Sequence, residues 1–193
     1  MAFRSDEEKY FADWLDELIR AGYIDHYEYE PFEYEVTEEL VNKYSESTKL
    51  KTKTRVDQKR QVLLRGSVYT PDFLIYWNDK SYRIFYDLIG CGMKIDTPFI
   101  AHVDSPDEEG ENEDVIFSIV EVKGDFDYKN MTRDFIDTQK FIWDKYEKFI
   151  NLIKVPTIFG ETFTPPSYLK TPTGKNKKIS KFDPITLKQF LKK

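Results

Sequence analysis

The sequence predicts an α/β fold, a central mixed sheet flanked by helices. Three observations carry it. The chain opens with a helical pattern. The near-continuous apolar run "DVIFSIVEVKG", Asp114–Gly124, marks a central strand. A second helical pattern from Asn130 to about Phe149 then precedes a short strand. With 193 residues, 40% of them hydrophobic and 16% aromatic, the chain is long enough for one sizeable core with an appendage.

The elements follow in order. Over Ser5–Ala21, Phe11, Trp14, Leu15 and Leu18 recur at helical spacing. Ser5 caps the start with Glu8 three residues on, and Gly22 ends the run. In "HYEYEPFEYEV", Tyr27, Tyr29, Phe32, Tyr34 and Val36 alternate with acids around Pro31, which predicts a strand or a bent pair of strands. The polar segment from Lys43 predicts a loop or irregular hairpin. "QVLLRGSVYTPDFLIYW" predicts a strand to about Leu64, a turn at Gly66, and a second strand from Tyr69 to Trp77. "NDK" is a turn and "SYRIFYDLIG" a further strand, followed by the apolar piece "TPFIAHV". "DSPDEEGENED" holds only turn formers and one sign of charge, so it is a loop.

Phe135, Ile136, Gln139, Phe141, Ile142, Tyr146 and Phe149 set the second helix, and "NLIKVPTIF" a last strand. After Gly160 come Pro165, Pro166, Pro172 and Pro184 among many lysines, which predicts an extended, loosely packed tail ending in a short helix. The expected organisation is a domain over 1–160, with an inserted hairpin and acidic loop around 81–114, and a basic tail over 161–193.

Charge is unevenly spread. Between Lys43 and Arg65 eight cations stand against Glu46 and Asp57, a net +6. Between Tyr168 and Lys193 eight lysines stand against Asp183, a net +7. The chain totals −6, so the remainder carries −19. Each basic run reads equally as a solvated segment or as a polyanion contact. The total argues against a general nucleic-acid coat. Cys91 is the single cysteine, which excludes an internal disulfide and a multi-cysteine metal site. "MAFRSDEEKY" lacks the apolar core of a secretory signal, and no run of 18 apolar residues occurs. A cytoplasmic protein without a membrane span is expected.

Within the central strand, Glu121 and Lys123 stand two apart, so both side chains leave the same face. Charges on a buried strand are paired or bind something. That spacing alone fits a buried salt bridge. Asp72, in "YTPDFLIYW", adds a third charge on an otherwise apolar strand; Pro71 before it favours a strand start or edge. Glu8 adds a carboxylate on the first helix, where it also reads as the partner of the Ser5 cap. Three carboxylates and a lysine can converge on one site. Carboxylates are hard ligands suited to Mg²⁺ or Mn²⁺, which polarise phosphoryl oxygens and acidify bound water.

Other candidates are weaker. His26 and His102 have no metal-ligand spacing and read as structural. Cys91 lacks a neighbouring base. Tyr82, Phe85 and Tyr86 read as core before base stacking. Asp87, in "FYDLIG", rivals Asp72 as the upstream acid but lacks the "TPDF" context.

Pro71-Asp72, then Glu121-Val122-Lys123, with Glu8 on a preceding helix, resembles the PD-(D/E)xK nuclease superfamily. "YTPDF" and "EVKG" are similar to segments of phage Holliday-junction-resolvase-like proteins, transposon end-cleaving subunits and phage head-completion nucleases. The resemblance covers roughly residues 5–155. It implies a restriction-endonuclease-like core and Mg²⁺-dependent (or Mn²⁺-dependent) cleavage of DNA phosphodiesters, with a structure-selective enzyme acting on branched DNA as the leading subtype. Asp72, Glu121 and the Val122 carbonyl would be metal ligands, Glu8 a further ligand or holder of a metal-bound water. Lys123 would act at the water or the scissile phosphate, and Gln139 and Lys140 would be polar helpers. DNA contacts would fall to Lys49, Lys51, Lys53, Arg55, Lys59 and Arg60, and to Lys175, Lys177 and Lys178 of the tail. Symmetric cutting would need a homodimer, and a phage origin would place the chain in the host cytoplasm. The alternative is a nuclease-like DNA-binding or phage assembly protein that does not cut.

Overall fold

The computed structural model describes residues 3–49, 51–90, 92–105, 114–124, 131–171 and 173–192. Cys91 and most of the acidic loop predicted after Asp104 lie outside the described residues. The chain divides into two compact units, 1–32 with 71–193, and 33–70.

The larger unit is mixed α/β. Helix α1, Asp6–Arg20, starts where the Ser5 side chain accepts a hydrogen bond from the Glu8 amide (3.1 Å), and it stops at Gly22, whose φ of +74° favours glycine. Phe11, Trp14, Leu15 and Leu18 are wholly buried on one face. Beside it lies a six-stranded sheet built from β1 (Ile24–Tyr29), β6 (Phe73–Trp77), β7 (Tyr86–Leu88), β8 (Phe99–Asp104), β9 (Val115–Lys123) and β10 (Ile150–Lys154). The order runs β1-β6-β9-β8-β7. β9 pairs antiparallel with β6 and β8, and parallel with β10. It is central, as its unbroken apolar run predicts.

Helix α2, Met131–Tyr146, connects β9 to its parallel neighbour, as a parallel pair requires. Helix α3, Val155–Glu161, follows β10 directly. Val120, Val122, Phe73, Ile75 and Trp77 join the α1 side chains in one core; Ile119, Glu121 and Lys123 leave the opposite face. No helix among the described residues is long and apolar enough to cross a membrane.

β8 and β10 share one side of β9. β8 pairs with its first half and β10 with its second, and Asn151 closes the junction. Its buried amide accepts from the Ile100 N–H (2.8 Å) and donates to the carbonyls of Ile100 (2.9 Å) and Ile119 (3.0 Å). Ser118 adds a hydroxyl to Ile100 O at 2.8 Å and accepts from Trp77 Nε1 at 2.8 Å. Leucine has a similar volume but no polar atoms. Asn151→Leu therefore strands buried backbone groups of Ile100 and Ile119, and should lower unfolding stability by about 2–3 kcal/mol in urea melts.

The smaller unit holds β2 (Tyr34–Thr37) paired with β5 (Ser67–Tyr69), and a hairpin of β3 (Leu40–Lys49) with β4 (Thr54–Leu64). Gly66 precedes β5 where a Cβ would stand 2.9 Å from the Thr37 carbonyl, so only glycine lets these backbones approach.

Several expectations need correction. The basic segment from Lys43 is a regular hairpin in unbroken pairing from Val41 to Lys49, not a loop or irregular hairpin. Residues 81–104 are not an inserted hairpin. Arg83, at φ +63°, breaks the expected strand over 81–90, and β7 pairs parallel with β8, which belongs to the central sheet. "NLIKVPTIF" is a strand only to Lys154. Pro156 sits in the first turn of α3, where its missing N–H costs nothing. The tail is not loosely packed. Phe163 is wholly buried, and Tyr168, Phe182, Ile185 and Phe190 pack against the core. Its terminal helix is present as α4, Leu187–Phe190.

Candidate active site

Antiparallel pairing of β6 with β9 sets the site. Phe73 lies opposite Val120 and Leu74 opposite Ile119. Just before β6 begins, Asp72 reaches this end of β9, where its Oδ2 accepts from the Val122 N–H and the Glu121 charge acts on it. Asp72 thus leaves the sheet on the Glu121 face, where β6 begins and β9 ends. All three site carboxylates are nearly buried, with 9% of Asp72, 7% of Glu121 and 6% of Glu8 exposed.

Pro71 has a specific local effect. Proline has no N–H to extend a ladder, and the pairing of β6 with β9 ends at Phe73 and Val120. The Val122 N–H donates instead to Asp72 Oδ2 at 2.7 Å. On an extended strand the N–H and C=O of one residue point to the same side. The Val122 carbonyl therefore points to the Asp72 side.

Electrostatics follows from this crowding. Burial, then the Glu121 charge beside it, push the Asp72 carboxyl up from the ordinary 3.8 to about 7; Glu8 adds to the rise, while the Val122 hydrogen bond and Lys123 oppose it. Lys123 forms an ion pair with Glu121, so the E-x-K pair is a salt bridge, and it stands beside Asp72.

Glu8 arrives from the first turn of α1. Its Oε1 accepts from Ser5 Oγ (3.0 Å), and its Oε2 from the Arg4 amide (2.9 Å) and the Tyr29 hydroxyl (2.6 Å). Glu7 Oε1 lies 3.8 Å from where a Cβ on Gly124 would stand, so this turn overhangs the end of β9. Glu8 is thus both cap partner and neighbour of Asp72. Tyr29 is a site residue that the sequence reading did not single out. It ends β1 opposite Phe73, and burial with its bond to Glu8 pushes its hydroxyl to about 12. Only its alternation with Tyr27 hinted at it.

The arrangement brings together Asp72, Glu121, Lys123 and, through its charge, Glu8. It gives other tasks to Gln139 and Lys140. Gln139 accepts from the Ile150 amide (2.7 Å) and donates to Lys148 O (3.2 Å), tying α2 to β10, and Lys140 pairs with Asp137 (3.2 Å). Asp87 is wholly buried and held by Arg83 (2.6 Å) and the Asp96 amide (3.0 Å). Burial opposes its ionisation, but these bonds outweigh burial and keep its pKa low. His102 accepts from the Phe149 amide (2.9 Å), a structural task. Phe85 and Tyr86 are core, while Tyr82 is 37% exposed.

Of the cationic candidates, Arg55 pairs with Asp57 (2.6 Å), Lys59 with Glu46, and Arg60 with Glu39. Lys49, Lys51, Lys53, Lys175, Lys177 and Lys178 are exposed, and Lys177 lies 4.0 Å from the Tyr168 ring centre.

Among the described residues no three His, Cys, Asp or Glu side chains stand together as a ready-made metal cluster. The donor set still fits a hard divalent cation. Two adjacent buried carboxylates meet there, Glu121 paired with Lys123, and the Val122 carbonyl points to their side. Comparison of the chain with protein-family models, curated proteins and solved structures returns no match.

Proposed function

We propose that this chain is a divalent-metal-dependent DNA endonuclease of the PD-(D/E)xK type, with branched DNA as its leading substrate class. The observation that carries the reading is the meeting of Asp72 and Glu121 at one sheet end, with Lys123 on the same face. The pairing of β6 with β9 supports it. A salt bridge alone would need only Glu121 and Lys123. Asp72 adds a second buried carboxylate beside Glu121 at a desolvation cost that its bond from the Val122 N–H only partly offsets.

Asp72, Glu121 and the Val122 carbonyl would hold Mg²⁺ or Mn²⁺, with Glu8 a further ligand or the holder of a metal-bound water. A cation there would polarise a phosphoryl oxygen and lower the pKa of bound water. Lys123, oriented by Glu121, places an ammonium where charge develops on the scissile phosphate or beside the attacking water. Ser5 and Tyr29 fix the Glu8 carboxylate in one orientation, so little reorganisation is needed.

Supercoiled plasmid and a synthetic four-way junction are the test substrates, each with Mg²⁺ and with Mn²⁺. Wild type should nick, and Asp72→Ala should lose about 10³-fold, the scale of several kcal/mol of lost stabilisation. Paired nicks in opposing junction arms would mark a homodimer. Salt-sensitive DNA binding by wild type without nicking would replace this reading with a non-catalytic DNA-binding role, and neither activity would favour an assembly protein.

A further inference from the structure

The hairpin of unit 33–70 has two chemically distinct faces. Pairing of Lys43 with Arg60 and Lys49 with Thr54 puts odd-numbered residues of β3 on one face with even-numbered residues of β4. Over the paired residues from Val41 to Val62 that face carries Lys43, Lys49 and Arg60 and no acid. The opposite face carries Glu46, Asp57, Arg55 and Lys59. It is neutral and closed on itself, Arg55 to Asp57 at 2.6 Å and Lys59 to Glu46 across the strands. The tip adds exposed Lys51 and Lys53. Arg60 is shared with Glu39, which precedes the ribbon.

We propose that the acid-free face of the β3–β4 ribbon, with its tip, is a phosphate-contact surface for duplex DNA. This deepens the endonuclease reading and rests on it for the choice of polyanion. A solvated face in a chain of net −6 would mix signs, and the paired residues of this face include no acid. A lone two-stranded ribbon is marginally stable, and cross-strand ion pairs support one. Here the cross-strand pair of Lys59 with Glu46 lies on the other face, so Lys43 and Lys49 are not needed to hold the ribbon. The ten residues of β3 span roughly 33 Å, about one turn of duplex, and a two-stranded ribbon fits the major groove. A second copy is a poor occupant, because cations would face cations.

The test measures binding of a short labelled duplex to the full chain in EDTA across a NaCl series, so that cleavage plays no part. Lys43→Gln with Lys49→Gln should weaken binding about tenfold and reduce the log–log salt slope by about two, one per lost phosphate contact. Lys43→Arg with Lys49→Arg should keep both affinity and slope. Lys80→Gln with Lys94→Gln, two exposed lysines of the other unit, removes the same charge and should change affinity less than about threefold with the slope intact.

Equal losses in the two glutamine pairs would overturn the proposal, as would an unchanged slope in the Lys43/Lys49 pair. So would the absence of any duplex binding by wild type, the result expected if the face takes an acidic protein. A wild type that binds through this face but never nicks would refute the endonuclease reading and leave the surface standing. One that nicks while the Lys43/Lys49 pair keeps its slope would do the reverse.

Discussion

Asp72→Asn should make the protein more stable at pH 8 and, on the endonuclease proposal, abolish nicking. The aspartate carboxyl titrates near 7 in the fold against an ordinary 3.8, chiefly because it is buried and then because Glu121 stands beside it. A folded value above the unfolded one means that the folded state binds the proton more tightly. The stabilisation from that proton is complete below about pH 4 and is lost as pH rises through 7. At pH 8 the native state therefore carries the full strain of an ionised Asp72.

Asparagine has the same shape, keeps an oxygen for the Val122 N–H, and carries no charge. The substitution should raise stability at pH 8 by about 2 kcal/mol, a Tm increase of about 4–8 °C, and change little at pH 4. Mg²⁺ or Mn²⁺ should raise the Tm of wild type at pH 8, less at pH 6 where Asp72 is mostly protonated, and not that of Asp72→Asn. Differential scanning fluorimetry over pH 4–9, with and without Mn²⁺, reads all three. If Asp72→Asn melts below wild type at pH 8, the carboxylate is a structural anchor rather than a poised ligand. An equal Mn²⁺ shift in both proteins would put the ion elsewhere.

The half of the site carried by strands was legible because strand periodicity is strict. Glu121 and Lys123 two apart must share a face, and Pro71 before Asp72 must start or edge a strand. The long gap between Asp72 and Glu121 did not obscure this, since the insertions fall outside the paired residues. Tyr29 was not legible, because its partner Glu8 lies on a helix and nothing local couples a helix start to a strand end. The 33–70 unit is only partly legible. Tyr34 with Val36 and the run to Leu64 mark strands, but β3 and most of β4 are polar on both faces, and cross-strand ion pairs cannot be read along the chain. In "VPTIF" the residues Val, Thr, Ile and Phe favour a strand, yet Pro156, two residues into α3, is a helix-start signal. Propensity and cap chemistry pointed in opposite directions, and the cap won.

In the tail many lysines dilute widely spaced aromatics that are in fact packed, and this packing makes a large prediction. Phe163 is wholly buried, stacked on Trp14 with ring centres 5.3 Å apart, while Trp14 Nε1 donates to the neighbouring Thr162 at 3.2 Å. Further on, Phe182 fills the space over Gly160, where a Cβ would come within 3.2 Å of it, and Phe190 lies 5.5 Å from Phe85. Phe163→Ala removes a buried ring and leaves a cavity against Trp14, at a cost of about 3–5 kcal/mol. Whole-domain stabilities are typically about 5–15 kcal/mol, so this one change consumes much of the reserve. Deletion of residues 162–193 removes Phe163, Phe182 and Phe190 together and should abolish a cooperative thermal transition. A flexible basic arm predicts the opposite: deletion would leave Tm unchanged and alter only nucleic-acid affinity. Circular dichroism melts of the two variants beside wild type separate these cases. A cooperative melt within a few degrees of wild type in the deletion variant would mean that the core closes without the tail.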